Sequence, residues 1–378
     1  MRFLFTSNPL VGHWLPMLPL ARAAEAAGHE VVVAAGPDVL ADIDRRGLTA
    51  WSIGPDLATI QAGVRDRPRA ANETDGARSV GDGLAMFASP AIDRARELVV
   101  RTASWLPDIV VQEIYELAGA YVPARLHVLH GLGAHYPGFV GLRELALGYV
   151  GSTLGPPARQ TPVADMPYVD PFPPMLQSPD DRPFSDVLGV RPDAGEVGPD
   201  DALPPSVGRL PYERTVYLTL GTLFNSTERF AMPLDALQEL AVNVVLTCGY
   251  GVDKAAFGPL PPHVVVEAYL PQALLLPTCS AVVCHADAGT VIGALANGVP
   301  LVCLPRGADQ FGNADQVSRT GAGITLRPDE VSADSIRDAC RRVLDDASYA
   351  AAASALQDEI ALLPDASAVV KELVRRAG

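Results

Sequence analysis

The chain has 378 residues, 48% hydrophobic and 19% charged, too long for one ordinary core at about 100–200 residues per domain and too apolar for a disordered tail. Forty-four acidic against 29 basic residues give a net charge of −15. A surface of that sign repels polyphosphate and offers no polybasic patch, which argues against nucleic acid and membranes as partners.

The predicted elements alternate from the start. Arg2–Thr6 is a buried strand, Pro16–Ala27 a helix stopped at Gly28, Glu30–Ala35 a β-branched strand and Pro37–Arg46 a helix stopped at Gly47. Such spacing implies a parallel sheet with crossover helices. The polar run Gln61–Arg78 is expected to be a mobile loop. Gly81–Ser104 resumes helix, Asp108–Gln112 is strand, Ile114–Ala124 helix and Leu126–His130 strand. Proline, glycine and aspartate then crowd Gly151–Arg214, marking a domain edge and a linker. From Thr215 strand-like runs return at Val216–Thr222, Val242–Cys248, Val264–Leu270, Ala281–Ala286, Pro300–Pro305 and Gly323–Pro328, and Asp365–Arg376 is a helix that returns to the first domain. The first residues form too short an apolar run for a signal peptide, and no stretch reaches the ~18 apolar residues of a membrane span, so a soluble cytoplasmic protein is expected. The cysteines Cys248, Cys279, Cys284, Cys303 and Cys340 lack Cys-x-x-Cys spacing and read as buried free thiols.

In open parallel sheets ligands bind beyond the carboxyl ends of the strands. Three segments meet that rule. After Ala281–Cys284, Gly289 and Thr290 open a helix whose exposed N–H groups and dipole favour an anion, with His285 beside them; a plain strand–turn–helix with a capping threonine is the alternative. After the next strand, Asp309 and Gln310 offer acceptors and a donor suited to vicinal hydroxyls, unless the loop is merely solvated. Phosphate donors beside hydroxyl-reading groups suggest a nucleotide-sugar. After the first strand, Asn8–Pro16 holds Gly12, which permits close backbone approach, and His13, the ring in that loop suited to a general base. Its orienting acid is expected at Glu113, at the end of its strand, rather than at Asp108, at the start. His29 and His263 read as structural, while His127, His130 and His135 flank a strand where they could reach an acceptor. Asp42-Ile43-Asp44 has metal-binding spacing but falls in a helix, where i and i+2 diverge.

His285-x-x-x-Gly289-Thr290, then Gly293-Ala294-Leu295-x-x-Gly298-Val299-Pro300, then Leu304-Pro305-x-Gly307-Ala308-Asp309-Gln310-x-x-Asn313-Ala314 resembles the donor signature of the family 1 glycosyltransferases. The likeness is strongest to the actinobacterial enzymes that decorate macrolides, aromatic polyketides and enediynes. It spans the chain: Gly12-His13-x-x-Pro16, Pro107-Asp108, the linker, Leu220-Gly221-Thr222 and Tyr269-Leu270-Pro271-Gln272 follow in the expected order.

The resemblance implies an α/β fold of the GT-B type, two Rossmann-like parallel-sheet domains facing across a cleft: an acceptor domain at 1–177, a linker at 178–212, a nucleotide-sugar domain at 213–358 and a returning helix at 359–378. It assigns His13 as base with Glu113 as partner, His285, Gly289 and Thr290 to the diphosphate, Asp309 and Gln310 to the sugar, and Gly221, Thr222, Leu270 and Gln272 to the base and cleft floor. Met86, Phe87 and Tyr136 are candidate acceptor contacts, and Arg306 is the nearest cation to the diphosphate. The implied reaction is inverting transfer of a (deoxy)sugar from a dTDP- or UDP-sugar to a hydroxyl of a hydrophobic aglycone, with no cofactor and no metal. The partners are that donor and acceptor, neither nucleic acid nor membrane, with a homodimer left open. A non-catalytic partner of another transferase is the alternative. A nicotinamide dehydrogenase is disfavoured because Gly-x-Gly-x-x-Gly is missing after the first strand, and a GT-B epimerase would be told apart by its need for no acceptor. The family usually has two glycines after the signature histidine; this chain has Ala286 and Asp287. Asp287 is expected to point away from the anion as a bystander.

Overall fold

The structure is a computed structural model that describes residues 1–68, 81–134, 138–159, 161–178, 182–192, 201–221, 227–249 and 252–378. It contains two parallel sheets. The first has seven strands, β1 (Arg2–Thr6), β2 (Glu30–Ala35), β3 (Thr49–Ser52), β4 (Ile109–Glu113), β5 (Leu126–His130), β6 (Tyr168–Asp170) and β7 (Val187–Gly189), in the order β3-β2-β1-β4-β5-β6-β7. The second has six, β8 (Thr215–Thr219), β9 (Asn243–Thr247), β10 (Val264–Glu267), β11 (Ala281–Cys284), β12 (Leu301–Cys303) and β13 (Gly323–Thr325), in the order β10-β9-β8-β11-β12-β13. Central strands such as β4 and β8 are buried at every residue, as strands covered by helices on both faces must be, and their middles are apolar, with polar residues only at their ends.

Each sheet winds outward in both directions from a pair of neighbours, β1 with β4 and β8 with β11. At such a switch point the chains leaving the two strands diverge and open a crevice. Asn8–His13 and Glu113 therefore emerge into one crevice, and Gly221 and His285 into the other.

Several local expectations are corrected. The helix after β1 begins at Val11, as Val11–Trp14, a 3-10 turn at Leu15–Met17 and Leu18–Ala26, so His13 lies in a helical turn rather than a loop. Pro16 and Pro19 fall in first turns, where a missing N–H does no harm. The segment after β4 is not a helix: Glu116 accepts from the N–H groups of Ala118 and Gly119 at 2.7 and 2.9 Å, and only a 3-10 turn at Ala118–Tyr121 follows. Gln61–Arg65 closes a helix, Leu57–Arg65, capped by Asp56 on the Thr59 N–H at 2.8 Å; residues 69–78 of the expected loop lie outside the described residues. A helix at Phe139–Leu154 and strands β6 and β7 occupy part of the stretch read as domain edge and linker. The first sheet thus continues to Gly189, past the expected boundary at 177.

The four cysteines Cys248, Cys284, Cys303 and Cys340 are buried, Cys279 is half-buried, and all are free. Among the described residues no helix is long and apolar enough to cross a membrane. The helix Ala366–Ala377, starting from an Asp365 cap, returns to the first sheet: Val369, Val370 and Leu373 share a core with Phe3, Phe5 and Leu20. Leu373 has no exposed surface, so Leu373→Ala is expected to destabilise the protein by about 2–5 kcal/mol, read from urea unfolding.

Candidate active site

One wall of the cleft is built at the β1/β4 switch point. Glu113 ends β4 and is fully buried. Its Oε1 accepts from the Tyr115 N–H at 2.6 Å, its Oε2 accepts from the Asn8 amide at 2.7 Å, and His13 Nδ1 lies 3.0 Å from the same Oε2. Burial alone would raise the carboxyl pKa, but His13 and these donors outweigh it and hold the group below its usual range. One imidazole nitrogen thus faces the carboxylate. The His13 side chain is 17% exposed.

Aromatic rings surround it. Phe87 stands on a π-helical stretch, Leu84–Ala88, that leads into the helix Ser89–Trp105; single π-turns of this kind recur at functional sites. Its ring centroid is 6.1 Å from that of His13 and 5.3 Å from that of Tyr115, and Tyr115 lies 5.8 Å from His13. Met86 is half-buried on the same stretch; Tyr136 and His135 lie outside the described residues. Asp108, at the far end of β4, accepts from the Arg2 N–H at 2.9 Å, remote from this crevice. His127 and His130 are pushed down to about 4, chiefly by burial. His130 hydrogen-bonds the Gly131 carbonyl at 2.8 Å. His130 is fully buried and His127 half-buried.

The opposite wall is built at the β8/β11 switch point. Gly221, at φ +82°, passes directly beneath His285: a Cβ there would stand 2.6 Å from His285 Nε2. Thr222 lies outside the described residues. Ala286 takes φ +64°, the left-handed conformation that suits glycine and costs other residues about 1–2 kcal/mol, which accounts for the glycine usual at this place. Asp287 is no bystander. It is the N-cap of the helix Ala288–Ala296, its Oδ1 accepting from the Thr290 N–H at 3.2 Å. The Thr290 N–H, expected as an anion donor, is thus occupied. Gly289, exposed in the first turn, keeps an N–H with no intrahelical acceptor.

The Asp309 loop closes the site. Asp309 and Gln310 begin the helix Gln310–Arg319. The expected acceptor on Gln310 is spent within its own loop, Oε1 accepting from Arg306 N at 2.9 Å and Gly307 N at 3.2 Å. Burial pushes the Asp309 pKa up; the Asn313 amide opposes this, Asp287 adds to it and the charge of His13 opposes it, so the field of the first wall reaches the second. Asn313, fully buried, joins the two domains: its amide donates to Asp309 Oδ2 at 3.0 Å and the Ala286 carbonyl at 3.1 Å, while its Oδ1 accepts from the Ala134 N–H, just beyond β5, at 2.9 Å. Arg306 is exposed, its pKa lowered by partial burial and by the neighbouring charge of Arg229.

Leu270, expected at the nucleotide base and cleft, is buried in a core that includes Tyr217, Val245 and Leu275. Gln272 donates to the Tyr217 hydroxyl at 3.2 Å. Asp42 pairs with Arg45 and Arg46 at 2.8 and 3.4 Å, and Asp44 is exposed beside it.

Residues 231–375 match the family profile described as the C-terminal domain of erythromycin biosynthesis protein CIII-like proteins. Over 99% of its length the chain is similar to aklavinone 7-beta-L-rhodosaminyltransferase of Streptomyces galilaeus, 30% identical and covering 95% of it. It belongs to the GT-B glycosyltransferases of antibiotic biosynthesis. The solved structure of glycosyltransferase SnogD from Streptomyces nogalater matches with a TM-score of 0.80 at 29% identity, covering 100% of both chains. That of glycosyltransferase VinC in complex with dTDP matches with a TM-score of 0.75 at 25% identity, covering 100% of this chain and 99% of that one.

Within this glycosyltransferase Asn8, Tyr115 and Asn313 join the candidate site, with no role expected of them from sequence. Asn8 and Tyr115 flank His13 and Glu113 in the chain, and Asn313 stands in the signature itself. Two substitutions test the walls. Asn313→Ala leaves the Ala134 N–H and the Ala286 carbonyl unpaired and is expected to cost about 1–3 kcal/mol in denaturant unfolding. Gly221→Ala should lose about 1–2 kcal/mol to its left-handed backbone plus the clash with His285; repeating it in a His285→Ala background removes only the second part, so a zero coupling energy would refute the contact.

Proposed function

We propose that this glycosyltransferase moves a sugar, a deoxysugar in our reading, from a dTDP- or UDP-sugar to a hydroxyl of a hydrophobic aglycone, with inversion. The observation that carries the proposal is the 3.0 Å contact of His13 with the buried Glu113 at the switch point opposite the Asp309 loop. His13 Nε2 takes the acceptor proton as the acceptor oxygen forms its bond to the anomeric carbon. The bond from that carbon to the donor phosphate breaks, and the nucleoside diphosphate leaves with the electron pair. A single displacement inverts the anomeric centre.

Charge on the leaving group falls to His285, the Gly289 N–H and the Thr290 hydroxyl at the helix N-terminus, where a preoriented dipole needs no rearrangement. Asp287 keeps the Thr290 N–H. Asp309 reads sugar hydroxyls with the Gln310 amide as donor. The thymidine nucleotide is favoured by the dTDP complex of VinC. Phe87 and Tyr115 form an apolar, planar wall beside the base that suits a flat or macrocyclic acceptor. The scheme uses no metal; Asp42, of the Asp42-x-Asp44 pair, is held by Arg45 and Arg46 on a surface helix. A non-catalytic auxiliary would have no use for a base held by a buried carboxylate.

The purified chain, assayed with dTDP- and UDP-sugars against polyketide aglycones, should form a glycoside whose anomeric configuration, read by NMR coupling, is opposite to that of the donor. Retention would refute the mechanism. His13→Ala is expected to lower kcat by about 10²–10⁴-fold while thymidine diphosphate still raises the melting temperature. Glu113→Gln should slow transfer strongly, and a chelator should leave the rate unchanged.

A further inference from the structure

The His13 and Glu113 contact is the visible end of a longer buried chain. Arg94, on the helix Ser89–Trp105, is fully buried, and its Nη1 donates to Asn8 Oδ1. A guanidinium can only donate, so this contact fixes which way the Asn8 amide faces. The oxygen is turned to Arg94 and the nitrogen to Glu113 Oε2, at 2.7 Å. That oxygen is also the one His13 Nδ1 meets at 3.0 Å.

The path to Arg94 is built for it. Its stem crosses Gly54, where a Cβ would come within 2.3 Å of Arg94 Cγ. The other buried carboxylate nearby, Glu116, has its oxygens engaged by the Thr6 hydroxyl and the Ala118 and Gly119 N–H groups. It balances the charge of Arg94 without touching the base. Two Arg94 nitrogens, Nε and Nη2, have no hydrogen-bond partner among the described residues. Burying an incompletely paired cation is unfavourable, and an aliphatic residue would fill the same space more stably.

We propose that Asn8 and Arg94 are positioning residues for the transfer: Arg94 orients the Asn8 amide, Asn8 pins Glu113 Oε2, and the pinned carboxylate holds His13 with Nε2 toward the acceptor. The proposal rests on the reading of His13 as the base. Neither residue touches substrate.

The decisive variant is Asn8→Asp in the full chain. It keeps the size of the side chain and its bond to Arg94 but removes the donor facing Glu113. It is expected to lower kcat at least ~10-fold, as small misplacements of a catalytic group do, while the donor KM stays within about twofold. In proton NMR a low-field imidazole Nδ1–H resonance, assigned by its loss in His13→Ala, should shift or broaden in Asn8→Asp and in Arg94→Met. It should stay in place in Arg96→Ala, an exposed neighbour paired with Asp93. Wild-type kcat together with an unmoved resonance in Asn8→Asp would reduce the pair to packing and overturn the proposal. If Asn8→Asp does not fold by circular dichroism, Arg94→Met supplies the same resonance. If the wild-type chain transfers no sugar, the transfer reading fails by itself, and the resonance still decides whether Asn8 and Arg94 hold His13.

Discussion

A carboxylate with no access to water has to be surrounded by donors, and Glu113 is such a carboxylate. Its surroundings are drawn from separate parts of the chain: Asn8 from the exit of β1, the Tyr115 N–H from the turn after β4, His13 from the first helical turn, and the charge of Arg94 from a helix seventeen residues long. They converge only because β1 and β4 are neighbours. Arg143, also buried, hydrogen-bonds the Ile114 carbonyl and reaches Gln112 at 3.1 Å, and its field, like that of Arg94, meets both Glu113 and Glu116. Two arginines and two glutamates thus balance in an interior that hydrophobic residues could fill at less expense. Such a set rarely adds net stability. What it supplies is one geometry for one imidazole.

The opposite wall, proposed above to take the donor, is shaped by close approach of backbone. There the chain uses Gly221 beneath His285, a left-handed Ala286 and a capped helix start. Glycine at both 286 and 287 would relax the turn and free the Thr290 N–H. Alanine and aspartate instead store a small strain and occupy that donor. The wall is therefore held by its own contacts, with the Thr290 N–H already paired to Asp287. Asn313 extends this order across the cleft, since one side chain fixes Ala286, Asp309 and the Ala134 backbone together.

The long-range architecture was legible because buried parallel strands appear as short, largely apolar runs between helix and turn signals: β1, β2 and β5 have the bounds read from sequence. His13 and Glu113 could be found by combining that order with the rule that sites lie at strand ends. The misreadings have local causes. Ile114, Leu117, Ala118 and Tyr121 carry a helix-like spacing, but Glu116 takes up the backbone N–H groups a helix would need. β6 and β7 are three residues each, too short to show alternation among prolines. Arg94 looks like one more charge on an amphipathic helix. Only the third dimension places it against Asn8.

The return of the helix Ala366–Ala377 to the first sheet carries a consequence for how the molecule is made. The residues that cover Phe3, Phe5 and Leu20 are synthesised after the entire second domain, so the first domain cannot complete its core on the ribosome when its own strands emerge. It must wait with an apolar face open while the later domain folds. Any exchange of donor domains between relatives would have to respect this topology, cutting the chain twice and leaving the returning helix with the sheet it covers.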